Sequence, residues 1–116
     1  MKFLSIFSKP PSEVGPPSPE MMAKMGALIE KGMKDGWLLA TEGVQAPQAG
    51  FRVQSRRGRT TVVDGPFAES KEVLGGYALI EAPSREAMIE ITKLFLDVAG
   101  DGTCEIYELY VQPACA

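Results

Sequence analysis

Acid, base and turn chemistry are concentrated in one stretch, Asp64-Gly65-Pro66-Phe67-Ala68-Glu69-Ser70-Lys71-Glu72. A carboxylate and an ammonium held beside a cavity can orient a small polar ligand or move a proton. On that reading Asp64, Glu69 and Lys71 are the catalytic candidates, and Asp64 and Phe67 are ligand contacts. The competing reading is loop geometry. Pro66 pushes Gly65 toward extended backbone and fixes the turn, while Phe67 plugs the core beneath it. Asp64 then accepts local backbone donors, and Glu69, Lys71 and Glu72 form a solvated arm.

The last apolar stretch carries two more carboxylates, Glu105 and Glu108, on opposite sides of a strand. One of them must face packed space, where it finds a donor or has its pKa raised by desolvation. Glu105 reads as a solvated rim residue. Glu108 and Tyr110, which share the other side of the strand, read as ligand contacts. Arg56, Arg57 and Arg59 form a basic cluster suited to an anion or another protein. Gly75-Gly76 suggests a bulge or a close backbone approach, since no phosphate-binding glycine pattern surrounds it.

Other chemistries lack their residues. The 116-residue chain has no histidine and two cysteines, Cys104 and Cys115, with no CxxC pair, so neither a zinc site nor a redox dithiol has the residues it requires, and the expectation is a protein without metal or organic cofactor. The segment between the two cysteines, Ile106 to Gln112, reads as a strand that would hold its ends about 20 Å apart, which argues against a disulfide unless the tail folds back. A net charge of −3 and a pI near 5.0 make nucleic acid a poor partner. No stretch approaches the ~20 apolar residues of a membrane span. Met1 to Lys9 reads as a first strand instead of a secretory leader, and the cytoplasm is the default compartment.

These residues must be positioned by a single domain over residues 1–116. After the first strand, a proline-rich loop from Lys9 to Pro19 leads to Ser18 as N-cap and a helix from about Pro19 to Asp35. Met22, Met25, Ile29 and Met33 make its apolar stripe, with Met21 and Leu28 beside them, and Gly36 stops it. Trp37 to Thr41 reads as a strand. Phe51 to Ser55 and Thr60 to Val63 read as a hairpin around Arg56-Arg57-Gly58-Arg59. Tyr77 to Glu81 is a strand, Arg85 to Val98 a helix, and Glu105 to Gln112 the last strand. The order matches an α+β, ferredoxin-like split βαβ arrangement with an inserted hairpin and two helices on one face of an antiparallel sheet. Its strands are apolar on both faces, whereas two helices cover only one. A second copy packed sheet to sheet is the economical cover for the other.

The Asp64 to Glu72 block, followed by Gly75-Gly76-Tyr77, resembles the signature of the DGPF group of YCII-related domains, small bacterial proteins mostly of unassigned activity. The resemblance extends over nearly the whole chain, through the Ser18-Pro19-Glu20 helix start and the terminal acidic strand. It implies a homodimeric α/β barrel built from ferredoxin-like units, with a cavity between or beside the sheets. Some members of the wider group look like small-molecule enzymes using a histidine with an aspartate, and this chain has no histidine. Tyr107 stands where many relatives have an arginine. DGPF relatives also occur beside, or fused to, alternative sigma factors.

Two functions of different kinds fit. One is a homodimeric small-molecule-binding protein or cofactor-independent enzyme, with its cavity near the Asp64 loop. The other is a noncatalytic interaction module tied to transcriptional regulation, with a sigma factor as the partner implied by resemblance.

Overall fold

The computed structural model describes residues 1–10, 16–44, 50–65 and 73–110. Eight elements follow in order: β1 (Lys2–Lys9), α1 (Pro19–Asp35), β2 (Leu38–Gly43), β3 (Phe51–Arg56), β4 (Arg59–Asp64), β5 (Val73–Glu81), α2 (Arg85–Ala99) and β6 (Thr103–Glu108). Strands β2, β5, β1 and β6 form one sheet in that order, with antiparallel pairing throughout, and β3 and β4 form a separate two-stranded ribbon. This is the ferredoxin-like arrangement with an inserted hairpin, and its two helices pack on one face of the sheet.

Both helices begin and end on chemistry visible in the chain. Ser18 Oγ accepts from the Met21 amide at 3.1 Å and Pro19 occupies the first turn, while Gly36 ends α1 in the left-handed region at φ 87°. Ser84 Oγ accepts from the Ala87 amide at 3.1 Å and so caps α2 in the same way. The hairpin turns through Arg57 and Gly58 at φ 51° and 80°, the positive pair that a two-residue type I′ turn requires.

Register divides the sheet into two faces. Phe3, Ser5 and Phe7 of β1 lie opposite Ile80, Ala78 and Gly76 of β5, and all face the helices. Phe3, Leu38, Ile80, Ala82 and Met88 form the buried core, with Ile29, Trp37, Ile91 and Ile106 packed against it. Phe7 meets Phe95 of α2 edge to face, with ring centroids 4.9 Å apart. The opposite face presents Leu4, Ile6 and Leu79, only half-buried, together with exposed Leu39, Tyr77 and Tyr107. Alternation thus leaves the second face apolar, as the strand pattern requires.

Two expectations change. Met22 and Met33 of α1 are exposed, and the inward stripe runs instead through Met21, Met25, Leu28, Ile29 and Gly32. Gly32 sets this seam: a Cβ there would lie 2.7 Å from Trp37 Cη2 and 2.9 Å from Leu38 Cβ, so the helix approaches β2 more closely than a side chain permits. The last strand begins at Thr103 and ends at Glu108. The Leu109 amide still donates to the Lys2 carbonyl at 2.9 Å, and Tyr110 lies beyond the strand, 98% exposed.

Candidate functional site

The inward face of the sheet centre is built from small residues. Ser5 lies opposite Ala78 and Ile106, and Phe7 opposite Gly76 and Cys104. Small side chains there, combined with a helix that docks closely at Gly32, leave a cleft of about 510 Å³ between α1, α2 and the sheet. Met21, Met25 and Ile29 of α1 form one wall, Ile91 and Phe95 of α2 another, and Trp37 closes the end near the core. A volume of this size suits a small organic molecule.

The polar groups of the cleft are mostly neutral. Ser5 is buried and hydrogen-bonds the Cys104 sulfur. Burial pushes the Cys104 thiol above its ordinary value of 9.0, and the Ser5 hydrogen bond opposes that shift. Thr41 Oγ1 donates to the Tyr77 carbonyl at 2.9 Å and Thr92 Oγ1 to the Met88 carbonyl at 2.8 Å, so each hydroxyl keeps its lone pairs for an incoming donor. Charged residues on the lining are Lys9, whose ammonium stands 5.7 Å over the Phe7 ring, and Glu42 at the sheet edge. Such a cleft favours an apolar body with one or two hydrogen-bonding substituents.

Gly75 and Gly76 border the cleft. Phe7 pairs with Gly76 and Ser8 with Leu74, so Gly75 is the extra residue of a β-bulge. A Cβ on Gly76 would lie 2.7 Å from the Glu42 carbonyl oxygen, a close approach between backbones. Among the described residues, no group of three or more acidic or cysteine side chains could hold a metal ion.

Those of the candidate site residues singled out by sequence that the structure describes lie away from this cleft. Asp64 is exposed at the end of β4, opposite Phe51 and outside the cleft lining. The Gly65 amide donates to the Gly50 carbonyl at 2.8 Å and closes the ribbon at that end. Phe67, Glu69 and Lys71 lie outside the described residues. Glu108 pairs with Phe3 on the helix side but is exposed, whereas Glu105 and Tyr107 share the open face. The Tyr107 hydroxyl donates to Glu105 Oε2 at 2.6 Å, and that carboxylate holds the phenol above its ordinary pKa. Tyr110 borders a second depression of about 610 Å³ on the open face, with Leu39, Leu79 and Leu109.

Ser5, Cys104, Met21, Met25 and Thr92 were not among the sequence candidates. Of these only Ser5 leaves a trace in the chain, a small polar residue inside the apolar run Phe3-Leu4-Ser5-Ile6-Phe7, which an ordinary strand position also shows.

Among solved structures, the chain is similar to the 5-chloro-2-hydroxyhydroquinone dehydrochlorinase TftG from Burkholderia phenoliruptrix AC1100, in complex with 2,5-dihydroxybenzoquinone. The two are 11% identical with a TM-score of 0.41, over 93% of this chain and 94% of that one. Comparison with curated proteins gives no match. Residues 1–111, which span every helix and strand above, match the model of the YCII-related domain, and the chain belongs to that family.

Proposed function

We propose that this protein is a homodimeric small-molecule-binding protein or cofactor-independent enzyme whose site is the cleft between α1, α2 and the sheet. The observation that carries this reading is the cleft itself, about 510 Å³, walled by methionine and aromatic side chains with a few neutral hydrogen-bonding groups on its floor. Methionines adapt to varied ligand shapes, and aromatic rings supply stiff contact area. The ligand is a compact organic molecule with an apolar body, not the small polar one that the Asp64 loop alone suggests. The second copy covers the open sheet face, where Leu4, Ile6, Leu79 and Tyr77 otherwise meet water.

Trp37 lines the cleft, so its fluorescence reports occupancy. A thermal-shift screen of small aromatic and acyl compounds should find ligands that raise the Tm of the wild type and change Trp37 emission. Met25→Trp should abolish both effects by filling the cleft, and Asp64→Asn should leave both intact. Ligands that stabilise Met25→Trp as well as the wild type would place binding elsewhere, and loss of binding in Asp64→Asn would return the site to the Asp64 loop.

A noncatalytic interaction module, the second reading, is favoured by one observation: the β3–β4 ribbon stands almost wholly exposed.

A further inference from the structure

The β3–β4 ribbon is out of proportion to its own support. An isolated two-stranded hairpin is marginal in water. Here, of its strand residues only Arg52 is not fully exposed, and among the described elements each strand's main packing neighbour is the other. The radius of gyration is 16.3 Å, against roughly 13 Å for a compact chain of this length. The ribbon is an arm.

Its two faces differ. By register, Phe51, Val53 and Val62 share one face, and they are 65%, 59% and 64% exposed. Arg56 and Arg59 pair at the tip beside Arg57. From Gly50 to Gly65 the chain holds four of its twelve basic residues and one of its fifteen acidic ones. The arm is therefore net +3 on a chain of net −3, which leaves the remainder at −6. A cationic arm with an apolar flank complements an acidic body with an apolar face, and this chain presents both.

We propose that the arm clasps a second copy of this chain. Its apolar flank packs at the border of the partner's open sheet face, and its tip arginines meet carboxylates on the edge strands. Glu42 on β2 and Glu105 on β6 stand at those edges. Glu105 already accepts from Tyr107, and a carboxylate has further lone pairs for a guanidinium. The arm gains the cover it lacks, and the body gains counter-charge. This inference rests on the homodimer reading above but adds a contact that sheet-to-sheet packing alone does not need.

The test combines sedimentation with hydrogen exchange on the full chain. The triple variant Arg56→Glu, Arg57→Glu, Arg59→Glu should weaken the dimer by roughly tenfold or more. Raising salt from about 50 mM to about 500 mM should weaken the wild-type dimer as well. Amides of residues 51–64 in the wild type should exchange slowly above the dimer dissociation constant and quickly below it. That last measurement needs no variant. A wild-type dimer whose arm exchanges equally fast at both concentrations, with the triple variant's dissociation constant unchanged, overturns the clasp and leaves the sheet-to-sheet dimer standing. A wild type that is monomeric throughout overturns the dimer reading and the clasp together. Binding of a DNA duplex or phosphatidylserine vesicles that is lost in a triple variant still fully dimeric assigns the arm to a polyanion and overturns the clasp.

Discussion

Ser5 and Cys104 show how environment sets chemistry at the scale of single residues. Burial raises the Cys104 pKa above 9.0, while the Ser5 hydroxyl stabilises the thiolate and holds that rise in check. In a Cys115→Ser background, the pH dependence of alkylation should therefore give Cys104 an apparent pKa above 9.0, and Ser5→Ala should push it higher still. The stability consequence has a definite sign. Between the unfolded and folded values the native state keeps its proton while the unfolded state loses it, so the contribution is full below the unfolded pKa and is lost as pH rises through the folded one. From neutral pH upward, the denaturant midpoint of the wild type should fall relative to that of Cys104→Ala. A Cys104 that titrates at or below 9.0 would remove the buried floor of the cleft. Neither residue was legible as a site, because a serine inside an apolar alternation looks like an ordinary strand position. The charged residues were conspicuous in sequence, yet Asp64 points to the ribbon end and Glu108 to an exposed strand terminus.

Helix and strand identities followed from periodicity and caps, since Ser18, Gly36, Ser84 and Gly100 mark helix ends by chemistry that acts locally. The face α1 turns inward was not legible in the same way. Its methionines fit a stripe through Met22 and Met33 as well as one through Met21 and Met25, and only contact with Trp37 and Leu38 at Gly32 selects the second. Two glycine substitutions in this helix should therefore differ in sign. Gly32→Ala forces a Cβ into Trp37 and Leu38 and should cost about 1–3 kcal/mol, with a shift in Trp37 emission. Gly26→Ala meets nothing within 4 Å and should stabilise by about 0.4–1 kcal/mol. Urea denaturation of the two variants measures both, and equal effects would mean that α1 does not dock at Gly32. Likewise, the end of β6 escaped sequence reading because Leu109 and Tyr110 continue the apolar run of the strand after the ladder has stopped.

For the whole molecule, the ratio of apolar strand surface to helical cover already pointed to a layered α+β fold with one open face. What that ratio did not locate was the cavity, which depends on how far α1 stands from small residues that β1, β5 and β6 contribute separately. Leu79 sits at the middle of the open face, opposite Leu4. For the homodimer proposed above, Leu79→Glu should give a monomer in light scattering at micromolar concentration while leaving far-ultraviolet circular dichroism unchanged. A variant that remains dimeric would mean that the copies associate through another surface.

Strand β1 is a party wall. Its odd-numbered residues Phe3, Ser5 and Phe7 look into one room and Leu4 and Ile6 into the other, so on the proposed reading nothing thicker than a backbone separates a molecule in the cleft from a second copy on the open face. Any occupant that bends this wall alters how well two copies fit, and thermodynamic reciprocity then requires the neighbour to alter the occupant's affinity by the same factor.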